Sequence, residues 1–136
     1  MENLNAAERE PLVGTEEVTI DEKGRVLVSK KKREALGSPF SVGIGVKGCL
    51  VAYTREAWQS LNAQLSSDDA LDIGTDTLRE IMYGEAETGI EFDPQGRFVV
   101  PLRQRRLLGL KGAALLIGAG NKLEIWSVAE YMKYKE

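Results

Sequence analysis

Shifting this chain against itself by 72 residues places DEKGRVLVSKKKREALG, Asp21 to Gly37, on DPQGRFVVPLRQRRLLG, Asp93 to Gly109. The identical positions are Asp21/Asp93, Gly24/Gly96, Arg25/Arg97, Val28/Val100, Arg33/Arg105, Leu36/Leu108 and Gly37/Gly109. With one inserted residue, LVAYTREAW then aligns with LEIWSVAEY, which matches Tyr53 to Trp126 and Trp58 to Tyr131. Two copies are too few for a solenoid, whose repeats need neighbours on both sides. One copy of roughly fifty residues buries little surface alone. The repeat therefore predicts a closed pseudo-twofold domain in which the two copies share a core.

Punctuation inside each copy predicts its elements. EEVTI before the motif and RVLVS after it are rich in β-branched residues and read as strands. Asp followed three residues later by Gly suits a type I turn, with Pro94 at the position where a fixed φ helps. Asp21, Gly24, Asp93 and Gly96 are thus turn-forming, and a left-handed Gly gives the hairpin loop with a bulge. A short basic helix follows, KKKREAL or LRQRRLL, stopped by Gly37 or Gly109. Two further strands and a hairpin lead to a helix capped by Thr54 or Ser127, and Ser127-Val-Ala-Glu130 is a capping box. The predicted class is α+β, mainly β: a small antiparallel barrel with short helices, its strands interleaved between copies so that sheet edges are protected. The predicted division is a disordered N-terminal extension over 1–12, a first repeat over 13–65, a helical linker over 66–84 and a second repeat over 85–136.

Composition narrows the chemistry. The chain has no histidine and one cysteine, Cys49, so zinc sites, an internal disulfide and His-based catalysis are not expected. No cofactor, metal, small-molecule substrate or enzymatic activity is predicted. The polar, acidic start reads as neither signal nor transit peptide, and no run is long enough to span a membrane. Cys49 reads as a small buried apolar residue. Net charge is −3, yet each repeated 17-residue block carries +3, leaving −9 on the rest. Binding follows the local field, so two basic islands on an acidic body remain compatible with a phosphate-binding face.

Taken together, these residues resemble a known family. The order strand, Asp-x-x-Gly-Arg, apolar strand, basic helix ending Leu-Gly, hairpin is similar to the AbrB-like swapped-hairpin DNA-binding fold. The tandem arrangement, with its linker and the C-terminal GAGNKLEIWSVAEYMKY, resembles the MraZ family from about Leu12 to Tyr134. DEKGR, Pro101 and Leu123-Glu-Ile-Trp126 also agree with that family. The resemblance implies a cytoplasmic, nucleoid-associated transcription regulator of the cell-division and cell-wall gene cluster. It implies homo-oligomeric rings that bind double-stranded DNA at short repeats upstream of their own operon. It assigns DNA contact to Lys23, Arg25 and Arg33 in the first copy and to Arg97, Arg105 and Arg106 in the second. Lys30, Lys31 and Arg103 are further DNA-binding candidates, the lysines of KKKR suited to gripping phosphates rather than reading bases. Ser29 departs from the family by replacing a Pro, which is expected to loosen the strand-to-helix corner and to free a hydroxyl or N–H for capping. Glu34 stands opposite Arg106 and weakens the first copy's basic face.

Alternatives exist for several residues. Arg25 and Arg97 could instead pair with the preceding Asp as a solvated bridge; repetition and the family pattern favour DNA contact. KKKR taken alone is a common solvated helix face. The matched aromatics Tyr53, Trp58, Trp126 and Tyr131 read as core or interface packing rather than a base-stacking platform. Gly37-Ser38 is the dipeptide at which a related barrel, an aspartate decarboxylase, self-cleaves, but here it ends a helix before Pro39. The competing function is a non-catalytic interaction module, antitoxin-like or a scaffold, that binds a protein partner.

Overall fold

A computed structural model describes residues 10–66 and 72–136 of the chain. Residues 1–9 of the predicted extension and 67–71 of the predicted linker lie outside them. The elements run β1 (Thr15–Ile20), β2 (Arg25–Leu27), α1 (Lys30–Leu36), β3 (Phe40–Ile44), β4 (Leu50–Tyr53) and α2 (Arg55–Ser66). They continue as α3 (Ile73–Gly84), β5 (Glu87–Ile90), β6 (Arg97–Val99), α4 (Leu102–Leu108), β7 (Gly112–Gly118), β8 (Lys122–Ser127) and α5 (Val128–Lys135).

Strands of the two copies alternate. One antiparallel sheet has the order β1-β7-β8-β4-β3-β5, and a second, two-stranded ribbon pairs β2 with β6. Among the described residues, only β3–β4 and β7–β8 pair within a copy; β1–β7, β3–β5, β4–β8 and β2–β6 all cross between copies. This is the interleaved α+β arrangement that the repeat predicts. The hairpin expected between EEVTI and RVLVS is limited to its turn, because β1 departs to β7 and β2 to β6. Each motif therefore joins the sheet to the ribbon. Among the described residues no ladder joins the two edge strands, β1 and β5, into a closed barrel.

The core lies between sheet and ribbon. Val26, Val28, Phe98 and Val100 from the ribbon strands and their ends pack with Ile20, Phe40, Val42, Leu50, Ala52, Leu116, Leu123 and Ile125. Phe98 meets Phe40 edge to face at 5.2 Å between ring centroids. Leu12, assigned to the extension from sequence, instead belongs to this core: it is buried and bridges Gly120. Its apolar side chain and partnered backbone tie this segment to the fold.

Local signals account for the helices. Thr54 accepts from the Ala57 N–H at 3.1 Å at the start of α2, and Ser127 accepts from the Glu130 N–H at 3.1 Å at the start of α5. The rings of Tyr53 and Trp58 meet tilted at 5.6 Å in one copy, and those of Trp126 and Tyr131 edge to face at 5.4 Å in the other, so the matched aromatics are packing pairs. Cys49 is buried, and desolvation pushes its thiol up to about 12. Gly37 closes α1, its N–H donating to Arg33 C=O, before Ser38 and Pro39 lead into β3.

Ser29 behaves differently from the sequence expectation. Its backbone, φ −58° and ψ 152°, nearly equals that of Pro101, φ −57° and ψ 142°, so the corner keeps its shape without the ring. Its hydroxyl does not cap α1. It donates instead to the Glu16 carboxylate at 2.7 Å, a charge-assisted bond.

Candidate nucleic-acid interface

The two Asp-x-x-Gly-Arg tips are built alike. The Gly24 N–H donates to Asp21 C=O, and the Gly96 N–H to Asp93 C=O, both at 2.9 Å. Each Asp carboxylate then gathers its own turn. Asp21 Oδ1 accepts from the Lys23 and Arg25 N–H groups at 3.0 and 2.8 Å; Asp93 Oδ1 accepts from Gln95 and Arg97 at 2.9 Å each. Asp21 Oδ2 accepts from Arg25 Nε at 2.6 Å, and Asp93 Oδ2 from Arg97 Nε at 2.9 Å. Gly24 and Gly96 both adopt φ +84°, a region a side chain enters only with strain.

Those backbone donors, with the arginine side chain second, hold both carboxylates below their ordinary value of 3.8. A depressed folded value means that the stabilising contribution is fully present above 3.8 and is lost as pH falls through the lower, folded value. Amide exchange at Lys23, Arg25, Gln95 and Arg97 should therefore stay slow through pH 3.8 and accelerate only in stronger acid. Acceleration already centred at 3.8 would mean that the carboxylates do not hold the tips.

The ribbon turns both arginines to one face. Its register pairs Arg25 with Val99, Val26 with Phe98 and Leu27 with Arg97. Val26 and Phe98 face the core, so Arg25, Leu27, Arg97 and Val99 share the outer face, with the arginines on a diagonal. Leu27 and Val99 are 55% and 51% exposed, an apolar centre between two guanidiniums. The sequence reading did not single out this pair, although strict alternation in RVL and RFV carries the signal.

The flanking helices divide the other basic residues. Lys23, Lys30, Lys31 and Arg106 are exposed, Lys30 lying 3.9 Å from Glu34. Lys32 turns inward: it is 6% exposed and pairs with Glu16 at 2.8 Å. Its counterpart in the second copy, Gln104, is also buried and donates to Glu85 C=O at 2.8 Å, while its Oε1 has no partner among the described residues. Arg103 is held in a two-bond fork by Glu85 at 2.6 Å each. Arg33 and Arg105 are half-buried and turn back onto the backbone: Arg33 Nη1 donates to Val28 C=O at 2.6 Å, and Arg105 Nε to Val100 C=O at 2.9 Å. The structure thus leaves Lys23, Lys30, Lys31 and Arg106 exposed, pairs Arg25, Arg97 and Arg103 with the carboxylates of Asp21, Asp93 and Glu85, and turns Arg33 and Arg105 back onto the backbone.

The family described as "MraZ protein, putative antitoxin-like" matches residues 12–79 and 82–136, one segment over each copy. The chain belongs to the MraZ family. Among its relatives is a protein of Acetivibrio thermocellus, 35% identical over 117 residues that cover 85% of this chain and 80% of the relative. One from Lachnoclostridium phytofermentans is 38% identical, covering 79% and 75%, and one from Limosilactobacillus reuteri is 34% identical, covering 90% and 86%. All three carry the name "Transcriptional regulator MraZ".

Proposed function

We propose that the chain is a DNA-binding transcription regulator that inserts the outer face of the β2–β6 ribbon into the major groove. The observation that carries this reading is the diagonal pair Arg25 and Arg97 on one face of a two-stranded ribbon. A major groove about 12 Å wide admits such a ribbon, and an arginine fork matches the two acceptors of guanine. The Asp–Arg pairs support this role rather than compete with it. Each Asp takes Nε, so the two terminal nitrogens of Arg25 remain for a ligand. In the second tip Gln95 also receives Arg97 Nη2 at 2.6 Å, an exposed contact that DNA can displace. Leu27 and Val99 suit contact with thymine methyl groups. Lys23, Lys30, Lys31 and Arg106 flank the ribbon and grip phosphates, which positions the protein without reading sequence.

One such face is a weak binder at cellular salt. Assembly of identical units into a ring, each meeting one of several operator repeats upstream of the cell-division and cell-wall genes, multiplies the affinity without new contacts. The relatives' name, transcriptional regulator, supports the regulatory role. A salt titration tests it. With about four phosphate contacts per unit, log affinity for duplex DNA from the region upstream of the gene should fall with log salt at a slope of about −3.6. A flat dependence would remove the DNA reading and favour the interaction module.

A further inference from the structure

Arg33 and Arg105 raise a separate question, because the family resemblance places them at DNA while the structure turns them inward. The Val28 N–H donates to Gly96 C=O at 3.1 Å, and Val28 C=O accepts from Arg33. In mirror fashion the Val100 N–H donates to Gly24 C=O at 2.8 Å, and Val100 C=O accepts from Arg105. The guanidiniums also lie directly against the opposite tips. A Cβ on Gly96 would fall 2.6 Å from Arg33 Cζ, and a Cβ on Gly24 would fall 2.6 Å from Arg105 Cζ. Those glycines are buried, although they sit at the ends of turns. Only a residue without a side chain lets the planar guanidinium lie flat against the turn.

We infer that Arg33 and Arg105 are crossed positioning residues: Arg33 of the first copy sets Arg97 of the second, and Arg105 sets Arg25. Each guanidinium fills the space beneath the other copy's tip and bonds the carbonyl of the valine whose N–H holds that tip. The tip arginine one residue beyond, Arg97 or Arg25, inherits that fixed backbone. A lysine cannot replace the latch, because it has no planar fork to lie under the glycine and its ammonium is more strongly hydrated. It would still serve a phosphate, since that contact needs mainly charge.

This inference rests on the proposed DNA reading only for its binding readout, so two measurements are paired. First, amide exchange of the full-length protein without DNA should show Arg33→Lys accelerating Gly96 and Arg97 while Gly24 and Arg25 stay slow, and Arg105→Lys the reverse. Acceleration of both tips together, or of neither, would overturn the crossed latch whatever the protein binds. Second, with duplex DNA from upstream of the gene as probe, Arg33→Lys should lower affinity about tenfold at an unchanged salt slope. That loss should largely vanish in an Arg97→Ala background and persist in an Arg25→Ala background, because coupled residues are non-additive. A slope shallower by about one in Arg33→Ala, with affinity retained in Arg33→Lys, would make Arg33 a phosphate contact instead. If the wild-type protein binds no duplex with salt dependence, the DNA reading fails, and the exchange pattern still decides the latch.

Discussion

Replacing Arg25 with Ala is expected to abolish retention of the upstream duplex in a gel shift while leaving the urea midpoint nearly unchanged. A well-made bidentate contact to a base is worth about 1–3 kcal/mol, or roughly five- to 150-fold in affinity per unit. In the proposed ring the loss would recur in every copy, so a moderate change per ribbon would remove binding by the assembly. Stability should hold because the Arg25 side chain is on the outer face and its ion pair with Asp21 is only partly buried. Arg97→Ala should behave in the same way, since both tips share the bonds between Asp, Gly and Arg. Arg25→Lys is the informative control: it should keep the salt slope and lose discrimination between the upstream duplex and an unrelated one. Undiminished affinity in Arg25→Ala would take this residue out of the interface.

The largest expected loss of stability is at Phe98. Its ring is 2% exposed, meets Phe40 at 5.2 Å and Phe92 at 6.1 Å, and is the bulkiest side chain that the ribbon sends into the core. Phe98→Ala should cost about 3–5 kcal/mol, the sum of lost transfer energy and an unfilled cavity. Against a typical total of about 5–15 kcal/mol this approaches unfolding. Urea titration at constant slope measures it. A loss below about 1 kcal/mol would mean that the ribbon is not anchored through this ring. The equivalent position in the first copy is Val26, smaller and equally buried, and its truncation should cost less. The pseudo-symmetry is thus closer at the tips, where backbone geometry dictates the residues, than in the core, where volumes need only add up.

Much of this was legible before any coordinates. The offset of 72 announced two copies sharing a core, and Asp and Gly at fixed spacing announced the tips. The caps Thr54 and Ser127 fell where their side chains suggested, because capping depends on residues only three apart. Strand partners were less legible. Alternation in RVL says which side chains face inward, but nothing local says that β2 leaves β1 for β6. The basic helices misled for the same reason. KKKR looks uniformly solvated, yet Lys32 is buried, because Glu16, far earlier in the chain, supplies a carboxylate for it. Arg33 and Arg105 likewise looked like surface cations until the opposite tip was seen to occupy the same space. In each case a partner distant in sequence decided the outcome.

Ser29, Lys32 and Glu16 form a charged cluster in the first copy, whereas the second copy puts Pro101 and Gln104 at the first two of those places and Thr88 at the third. A dimer of identical short chains could not hold such a difference, since every substitution would appear on both sides of its axis. Joining the copies in one chain lets each side of the ribbon change alone. The fold can therefore keep a symmetric frame while giving its two ends different chemistry, and so give the molecule a direction along whatever it lies upon.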